Sequence, residues 1–524
     1  MIVSDRRLAH AAFALALLAG VAPLWCARQL PMVDLPQHLH LISVLHRLDD
    51  PTTLYPQVFA ARAELTPYLG YHYLVSGLSW LVPLELANRI FLSAMVVGLP
   101  LALAFLLRSL GRPRWPAVLG VPFAYGDSFG WGFVNSSASF VLALVAAALF
   151  VRALADRNHR RRWALWHGIV LLAVLLMHVQ GFLFLAVALP FLLLTTRIPE
   201  DAARHALRPR LLAVLSTIPA VLLFAIWGAG RLLAPAEVEE GAPWKAWGPL
   251  LSERNLSFKP FSQNLYEFFN VVLANLLRDG GDRWGVWAVA LVAVVAVVIW
   301  IDGRRSPFRE GPIERWRLPG LALLAGLLFL LLPFDVRGAV YYLNTRYAHL
   351  AAPLALAAVV PPIAARIRPL LLAAGAASAL VLAVPLGVGF RAFDVEAAPL
   401  LRFAEETPPR PRIMGLVFDP SSRVMRHPVF LHAAAVPARL RGGITNFSFA
   451  RTPHSPIRYR GSPPPTFPSE WRPDGFRWET MGPAYDHFLV RGVDPRAVFG
   501  PRYGSEVIPV GDAGGMAWLE SWSR

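Results

Sequence analysis

The sequence predicts an α-helical polytopic membrane protein with about eleven transmembrane helices, followed by a small extracytoplasmic C-terminal α/β domain. Hydrophobic residues make up 56% of the chain and charged residues only 16%. Many windows contain the roughly 20 apolar residues that are enough to cross a bilayer. In addition, twenty-one of the fifty Lys and Arg residues lie in six short gaps between apolar runs, and these are always every second gap.

This alternation orients the predicted spans. Lys and Arg are retained on the cytoplasmic side of a membrane, so the basic gaps are predicted to be cytoplasmic and the gaps between them to face outside. An odd number of spans then places the N-terminus in the cytoplasm and the C-terminal domain outside. The basic gaps are Arg6–Arg7, Arg108–Arg114, Arg152–Arg162, Arg197–Arg210, Arg304–Arg317 and Arg366–Arg368.

Each predicted span is an apolar run near the length that a bilayer requires. The first run follows two arginines as a signal peptide does, but it lacks a clear small-x-small cleavage site, so we interpret it as an uncleaved span. The predicted spans are approximately 8–27, 86–107, 115–128, 132–153, 164–179, 181–196, 210–228, 285–302, 318–333, 347–365 and 369–390.

The composition changes near residue 390. Residues 1–390 form the predicted transmembrane domain, with long external loops at 29–84 and 231–284, whereas residues 391–524 are rich in Pro, Arg and polar residues. This tail of about 130 residues is long enough for a small soluble domain.

Local patterns within the tail predict an α/β fold. Arg412–Phe418, His487–Val490 and Glu506–Val510 have the pattern of strands, and Val429–Ala438 that of a helix. The Pro-rich stretch Thr452–Pro473 is predicted to be a loop wrapped over another part of the molecule, because Pro cannot sustain regular structure.

Charge and cysteine content exclude other classes. The formal net charge of +16 suggests a nucleic-acid partner, but the basic gaps account for most of the excess, and anionic membrane lipids lie beside them. We therefore predict membrane lipids, and no nucleic acid, as partners. Cys26 is the only cysteine, so the chain has no intrachain disulfide and no Cys-based metal site.

The first candidate site follows the first span directly. Asp34, Pro36 and Gln37 have the pattern of a helix start, with a carboxylate at the N-cap. One interpretation is that Asp34 only caps a surface helix. The other is that Asp34 and His38, one turn apart at the membrane edge, bind a metal or remove a proton.

Two further polar residues lie in predicted external turns. Asp127 is the only charge in the turn between the third and fourth spans, and the alternative to a functional role is a turn aspartate among glycines. His178 lies at the outer end of the fifth span. A lone histidine there is commonly a hydrogen-bonded packing residue, although ionisable groups at membrane depth are rare and often functional.

The first two spans resemble those of the polytopic GT-C glycosyltransferases. A long first span is followed by a loop that opens with an Asp-x-Pro-x-His pattern, and the rest of the chain is similar to that superfamily in topology only. The residues that carry the resemblance are Asp34, Pro36, His38, Thr66-Pro67-Tyr68, His72-Tyr73, Leu86-Ala87-Asn88-Arg89 and Leu106-Leu107-Arg108-Ser109-Leu110-Gly111.

The resemblance implies a GT-C-like fold in a bacterial inner membrane, and a transferase that moves a sugar from a polyprenyl-phosphate donor to an envelope glycan, lipid or protein acceptor. It implies that Asp34 is the essential acidic residue of the first external loop and that Asp127 is a second acidic residue. Together these would hold a divalent cation, Mg or Mn. The paired Asp-Glu of protein mannosyltransferases is absent, since Leu35 follows Asp34.

Between the ninth and tenth spans, Arg346 resembles the late Arg-Tyr segment of GT-C chains. A guanidinium donates two parallel bonds to a phosphate, so Arg346, with Arg337 as second choice, is assigned to the donor phosphate, and Tyr347 is assigned to the same substrate site. The alternative is an arginine that reaches the lipid head groups beside an aromatic belt of Tyr341, Tyr342 and Tyr347.

These residues predict an inverting transfer at the outer surface. Asp34 deprotonates the acceptor or holds the cation with Asp127. His38 and His178 orient the acceptor or complete the metal shell, and Arg346 offsets charge on the departing phosphate. A transporter is expected to show repeated halves, which the sequence lacks. A non-catalytic scaffold for assembly of envelope polysaccharide remains an alternative.

Overall fold

Helices dominate the chain up to residue 406. The computed structural model describes residues 2–62, 64–198, 203–232, 255–302, 311–336, 340–452 and 454–521. The α-helices in its first part are α1 (Ile2–Val21), α2 (Leu35–His46), α3 (Tyr55–Val58), α4 (Gly70–Leu78), α5 (Leu84–Ser109), α6 (Asp127–Trp131), α7 (Val134–Ala155), α8 (Arg160–Met177), α9 (Val179–Thr195), α10 (Ala203–Leu215) and α11 (Ile218–Leu232). They are followed by α12 (Phe261–Glu267), α13 (Arg283–Ile301), α14 (Arg317–Leu331), α15 (Ala348–Val359), α16 (Arg368–Ala397) and α17 (Pro399–Glu406).

Several of these helices are long and apolar enough to span a bilayer. Within the described ranges there are five such helices, or six if the pair Leu207–Leu215 and Ile218–Gly230, bent by 42°, counts as one span. The chain is therefore a multi-pass membrane protein. The five are Arg7–Trp25, Leu84–Ser109, Val134–Ala155, Arg283–Ile301 and Arg368–Glu406.

The remaining predicted spans coincide with shorter elements. The span predicted at 115–128 is a 3-10 helix over Trp115–Ala124, where Pro116 and Pro122 each remove a backbone donor. Helices α9, α14 and α15 contain 17, 15 and 12 residues. A length of about 20 residues is needed for an untilted crossing, so the number of eleven spans stays a prediction.

The last part of the chain forms a small mixed sheet. Its strands are β4 (Arg412–Val417), β5 (Ile444–Thr445), β7 (His487–Arg491), β8 (Val507–Ala513) and β9 (Met516–Ser521). They lie in the order β5-β4-β7-β9-β8, in which β4 is parallel to β5 and β7, and β9 is antiparallel to β7 and β8. The predicted C-terminal sheet is thereby confirmed.

Short helices surround this sheet: α18 (Ala435–Leu440), α19 (Trp478–Met481) and α20 (Pro495–Phe499). The helix predicted over Val429–Ala438 is wrong in its first half, because residues 429–434 form turns and the helix begins at Ala435. Helix α16 continues without a break through residue 391, where the sequence composition changes.

The tail also pairs with the loop at 29–84. Strand β1 (Phe59–Ala61) pairs antiparallel with β6 (Ile457–Tyr459), and the backbone N–H of Leu54 donates to Gly442 O at 2.8 Å. A second short pair joins β2 (Leu256–Ser257) to β3 (Asp335–Val336). One buried apolar cluster combines residues of both parts, among them Met32, Leu35, Phe390, Phe430 and Trp518.

Candidate functional site

A cavity of about 420 Å³ brings together four of the residues predicted from the sequence. Asp34, His38, His178 and Arg346 all line it. They come from three connections that the charge pattern places on one side of the membrane, and the structure places them at one end of the helical bundle.

Asp34 precedes the first turn of α2, as the helix-start pattern predicts, but its side chain makes no capping hydrogen bond. The carboxylate instead lies 3.5 Å from His432 Nε2 and remains 20% exposed. Its backbone N–H donates to Trp131 O at 3.0 Å, which fixes the start of the helix against the loop before α7. The carboxylate is therefore held at the cavity wall and is open to a ligand.

His432 connects Asp34 to a second acid of the tail. Its Nδ1 lies 3.7 Å from Glu470 Oε2. Burial alone lowers the pKa of His432, but the two carboxylates outweigh burial and the net pKa is raised. Burial also raises the pKa of Glu470, against the attraction of His432. Asp34, His432 and Glu470 thus form a coupled acid–base group.

His38 belongs to a buried polar chain on the other side of Asp34. His72 Nδ1 lies 3.1 Å from Tyr68 O, which only accepts, so His72 Nδ1–H donates and its Nε2 accepts. His38 Nδ1 lies 3.2 Å from that Nε2, and the His38 ring also forms a hydrogen bond with the Gly132 backbone. Burial, followed by the nearby His72, holds the pKa of His38 well below its usual value, so the ring is neutral at pH 7.

The Arg346 guanidinium contacts two backbone carbonyls and one aromatic ring. Its Nε and one terminal nitrogen donate to Tyr342 O and Tyr341 O at 3.2 and 3.1 Å, and the guanidinium lies 3.7 Å from the centroid of the Phe133 ring. Burial lowers its pKa to about 10, which leaves it charged at neutral pH. Among the described residues it forms no ion pair within 4.0 Å, so its charge is available to an anion in the cavity.

Asp127 lies behind the cavity and does not line it. Its carboxylate accepts a 2.9 Å hydrogen bond from His427 Nε2, and both side chains are largely buried. The contact spans 300 residues of sequence, so Asp127 is more than a local turn residue. It also lies within electrostatic reach of Arg346.

The remaining predicted residues, His178, Tyr347 and Arg337, differ in their positions relative to the cavity. His178 Nδ1 accepts from Gln180 N at 3.2 Å and so caps α9, which leaves the proton on Nε2 in the neutral ring. Tyr347 is buried away from the cavity, and its hydroxyl donates to Gln180 O at 3.2 Å. Arg337 lies outside the described residues.

No group of three or more His, Cys, Asp or Glu side chains among the described residues is placed to hold a metal ion. Asp34 and Asp127 each face a different histidine instead. A cation shared by these two aspartates stays a prediction.

Aromatic rings from both parts of the chain complete the walls. Trp131 contacts Tyr342 and Trp471, with ring centroids 4.6 and 6.3 Å away. Such flat apolar faces suit the C–H face of a sugar ring.

The contributions of His427, His432 and Glu470, which belong to the tail, were not predicted from the sequence. The one signal was the Pro-rich stretch that is predicted to wrap over something, and its residues Thr452, His454, Glu470 and Trp471 do line the cavity.

No protein-family model matches the chain, and no curated protein matches it. Among solved structures it is similar to an Archaeoglobus fulgidus oligosaccharyltransferase tethered with an acceptor peptide (12% identity, TM-score 0.43, 84% of this chain and 63% of that one). It is also similar to ArnT from Cupriavidus metallidurans bound to undecaprenyl phosphate (11% identity, TM-score 0.43, 97% of each chain).

A third similar structure is the mycobacterial arabinofuranosyltransferase AftD (14% identity, TM-score 0.49, 98% of this chain and 41% of that one). The chain thus spans less than two thirds of the oligosaccharyltransferase and of AftD. The GT-C resemblance of the first two spans stays a prediction.

Proposed function

We propose that this protein transfers a sugar from a polyprenyl-phosphate donor to an acceptor hydroxyl or amine of an envelope glycan, lipid or protein, on the outer face of a bacterial inner membrane. The observation that carries the proposal is the presence, in one cavity, of the Asp34 carboxylate, which makes no helix-capping bond, and the half-buried Arg346 guanidinium, which has no carboxylate partner among the described residues. A base and an anion site on one cavity are the two groups that such a transfer requires.

In the proposed inverting reaction, Asp34 takes the proton from the acceptor O–H or N–H as that atom attacks the anomeric carbon. The new glycosidic bond forms while the bond from the anomeric carbon to the phosphate oxygen breaks, and its electron pair leaves on the lipid phosphate. Arg346 donates hydrogen bonds to that phosphate as its charge grows. The proton remains on the Asp34 carboxyl until the product leaves.

Other residues around the cavity support this chemistry. His432 positions the Asp34 carboxylate and couples it to Glu470, so the proton taken up by Asp34 can be shared across the group. His38 and His178 present their rings to the acceptor. Trp131 and Trp471 provide stacking faces, which favours a glycan among the three acceptor classes.

The test is the consumption of labelled polyprenyl-phosphate sugars by purified Asp34→Asn. We expect the rate to fall by about 10²–10⁴-fold, the range for loss of a general base, with the thermal midpoint preserved. Asp49→Asn, which removes the same charge from an exposed position just after the same helix, is the matched control. If Asp34→Asn consumes the donor as fast as Asp49→Asn, Asp34 is not the base; if the wild type consumes none, the chain is a scaffold. Either outcome contradicts the proposal.

A further inference from the structure

A second cavity, also of about 420 Å³, lies on the opposite side of α2. Successive positions of this helix divide between the two cavities: Asp34 and His38 face the reaction cavity, and Leu35 and Leu39 line the second one. Nothing in the proposed transfer uses the second cavity.

The second cavity lies at the ends of candidate spans. Glu85, Asn88 and Arg89 come from the first two turns of α5, and Phe393 comes from the last turns of α16. Nearby, Trp25 ends the first candidate span, is 48% exposed, and lies 6.0 Å from the Arg89 guanidinium. Tryptophan is enriched at membrane–water interfaces, so this cavity opens at the level of lipid head groups.

The walls of this cavity are amphiphilic. Apolar side chains form most of the lining, among them Leu400 and Phe430. The lining also contains four arginines but only two glutamates, so it carries a net positive charge. The charged residues are Arg28, Arg89, Arg439, Arg441, Glu85 and Glu405.

Among the described residues, the four arginines differ in the partners of their guanidinium groups. Arg439 pairs with Glu85, and Arg89 donates to the carbonyls of Ala27 and Arg28. Within the described ranges, by contrast, the side chain of Arg28 has no ion pair, and the buried Nε of Arg441 has no hydrogen-bond partner. A buried N–H donor without a partner is costly, and a phosphate oxygen is a strong acceptor for it.

We propose that the second cavity binds the phosphate head group of an anionic membrane phospholipid, with Arg28 and Arg441 at the phosphate and the first acyl carbons against Leu400 and Phe430. This lipid is distinct from the donor in the reaction cavity. The proposal does not rest on the transfer reaction, because binding requires no turnover.

The test uses the purified full-length chain and native mass spectrometry of retained lipid, with phosphatidylglycerol, phosphatidylcholine and inorganic phosphate as separate ligands. We expect phosphatidylglycerol to be retained in preference to phosphatidylcholine. The double variant Arg28→Gln/Arg441→Gln is expected to weaken phosphatidylglycerol binding by about tenfold or more, because it removes both charge-assisted contacts. The control Arg458→Gln/Arg460→Gln removes two exposed arginines that line neither cavity.

Equal binding by both double variants, equal retention of the two lipids, or stabilisation by inorganic phosphate alone would each overturn the proposal. Photoactivatable phosphatidylglycerol gives a readout on the unmodified chain: label is expected in peptides covering 393–405, and label confined to 454–471 would place the lipid in the reaction cavity instead. Asp34→Asn is expected to retain phosphatidylglycerol normally, so failure of the transferase proposal and failure of this one are distinguishable.

Discussion

The sequence pattern around Asp34 predicts a helix-capping side chain, but the carboxylate makes a different contact. Its position before Leu35 and Pro36 is that of an N-cap, and the helix does begin there. The carboxylate nevertheless faces His432, almost 400 residues later in the chain. The pattern around Asp34 therefore predicts the backbone correctly, but only the fold shows which group its side chain contacts.

The coupling of His432 to two carboxylates predicts a pH-dependent stability. Its pKa in the folded protein is raised above the unfolded value of about 6.5. The stabilisation it provides is therefore complete below pH 6.5 and is lost as the pH rises through the folded pKa. We expect the difference in thermal midpoint between the wild type and His432→Gln to be larger at pH 6 than at pH 9.

Thermal unfolding across this pH range, followed by intrinsic fluorescence, is the measurement. His159→Gln, at an imidazole whose side chain is 60% exposed, is the control and is expected to show little change with pH. A midpoint difference for His432→Gln that stays constant from pH 6 to pH 9 would contradict the ionic coupling.

Arg346 predicts a second outcome at the scale of one residue. Arg346→Lys keeps the positive charge but loses the planar fork that binds phosphate through two bonds. We expect kcat/KM for the polyprenyl-phosphate donor to fall by about tenfold or more, with little change in the thermal midpoint. The measurement is the initial rate against donor concentration, and Arg426→Lys, at an exposed position, is the control. A loss of stability without a loss of kcat/KM would show that Arg346 only packs.

At the scale of elements, the loop over residues 125–133 positions the site. The carbonyls of Gly130 and Trp131 accept from the backbone N–H groups of Val33 and Asp34. Gly132 has φ +84°, and a Cβ there would lie 3.0 Å from the backbone nitrogen of Asp34. Glycine is required at this position both by the backbone conformation and by the close approach of Asp34.

This contact predicts a difference between two glycine substitutions. Gly132→Ala and Gly111→Ala both place a side chain at positive φ, at a cost of about 1–3 kcal/mol. Gly111 has open space around the added carbon, whereas Gly132 adjoins Asp34. We expect both variants to lose stability but only Gly132→Ala to lose most of its transfer activity. Thermal midpoints and donor turnover measure the two effects, and equal activity of the two variants would contradict the positioning role.

The sequence predicts most elements well, for a physical reason. Apolar run length and basic gaps reflect the hydrocarbon core and the charge asymmetry of the bilayer, which act on each segment separately. Every predicted span therefore contains a helical segment, although Trp115–Ala124 is a 3-10 helix because of its prolines. Run length and charge do not predict the turns over 429–434, because contacts with distant elements position Leu431 and His432.

At the scale of the whole molecule, the buried pair of Asp127 and His427 links a turn of the helical bundle to the tail. Asp127→Leu and His427→Phe each leave a buried polar partner without its hydrogen bond. We expect the double variant to be less destabilised than the sum of the two single variants, with a coupling of about 1–3 kcal/mol. The measurement is a double-mutant cycle in urea or by thermal unfolding, and additive effects would show that the pair contributes no coupling.

The same long-range contacts explain which site residues the sequence could not predict. Asp34, His38, His178 and Arg346 were identifiable because each is an isolated polar group at the edge of an apolar run. Glu470 lies in a Pro-rich polar segment, where acidic residues are common on any surface, and His432 lies in a short apolar run of the tail that predicts only a packed helix. Nothing local distinguishes them, and only the docking of the tail places them in the cavity.

The pairing of Phe59–Ala61 with Ile457–Tyr459 has a consequence for biogenesis. The ribosome releases the first of these segments roughly 400 residues before its partner exists, and domains ordinarily fold while the chain is still emerging. A chain truncated before residue 452 therefore lacks the tail residues that line the cavity beside Asp34. The cavity walls are complete only after the segment through Trp471 has been synthesised and has docked.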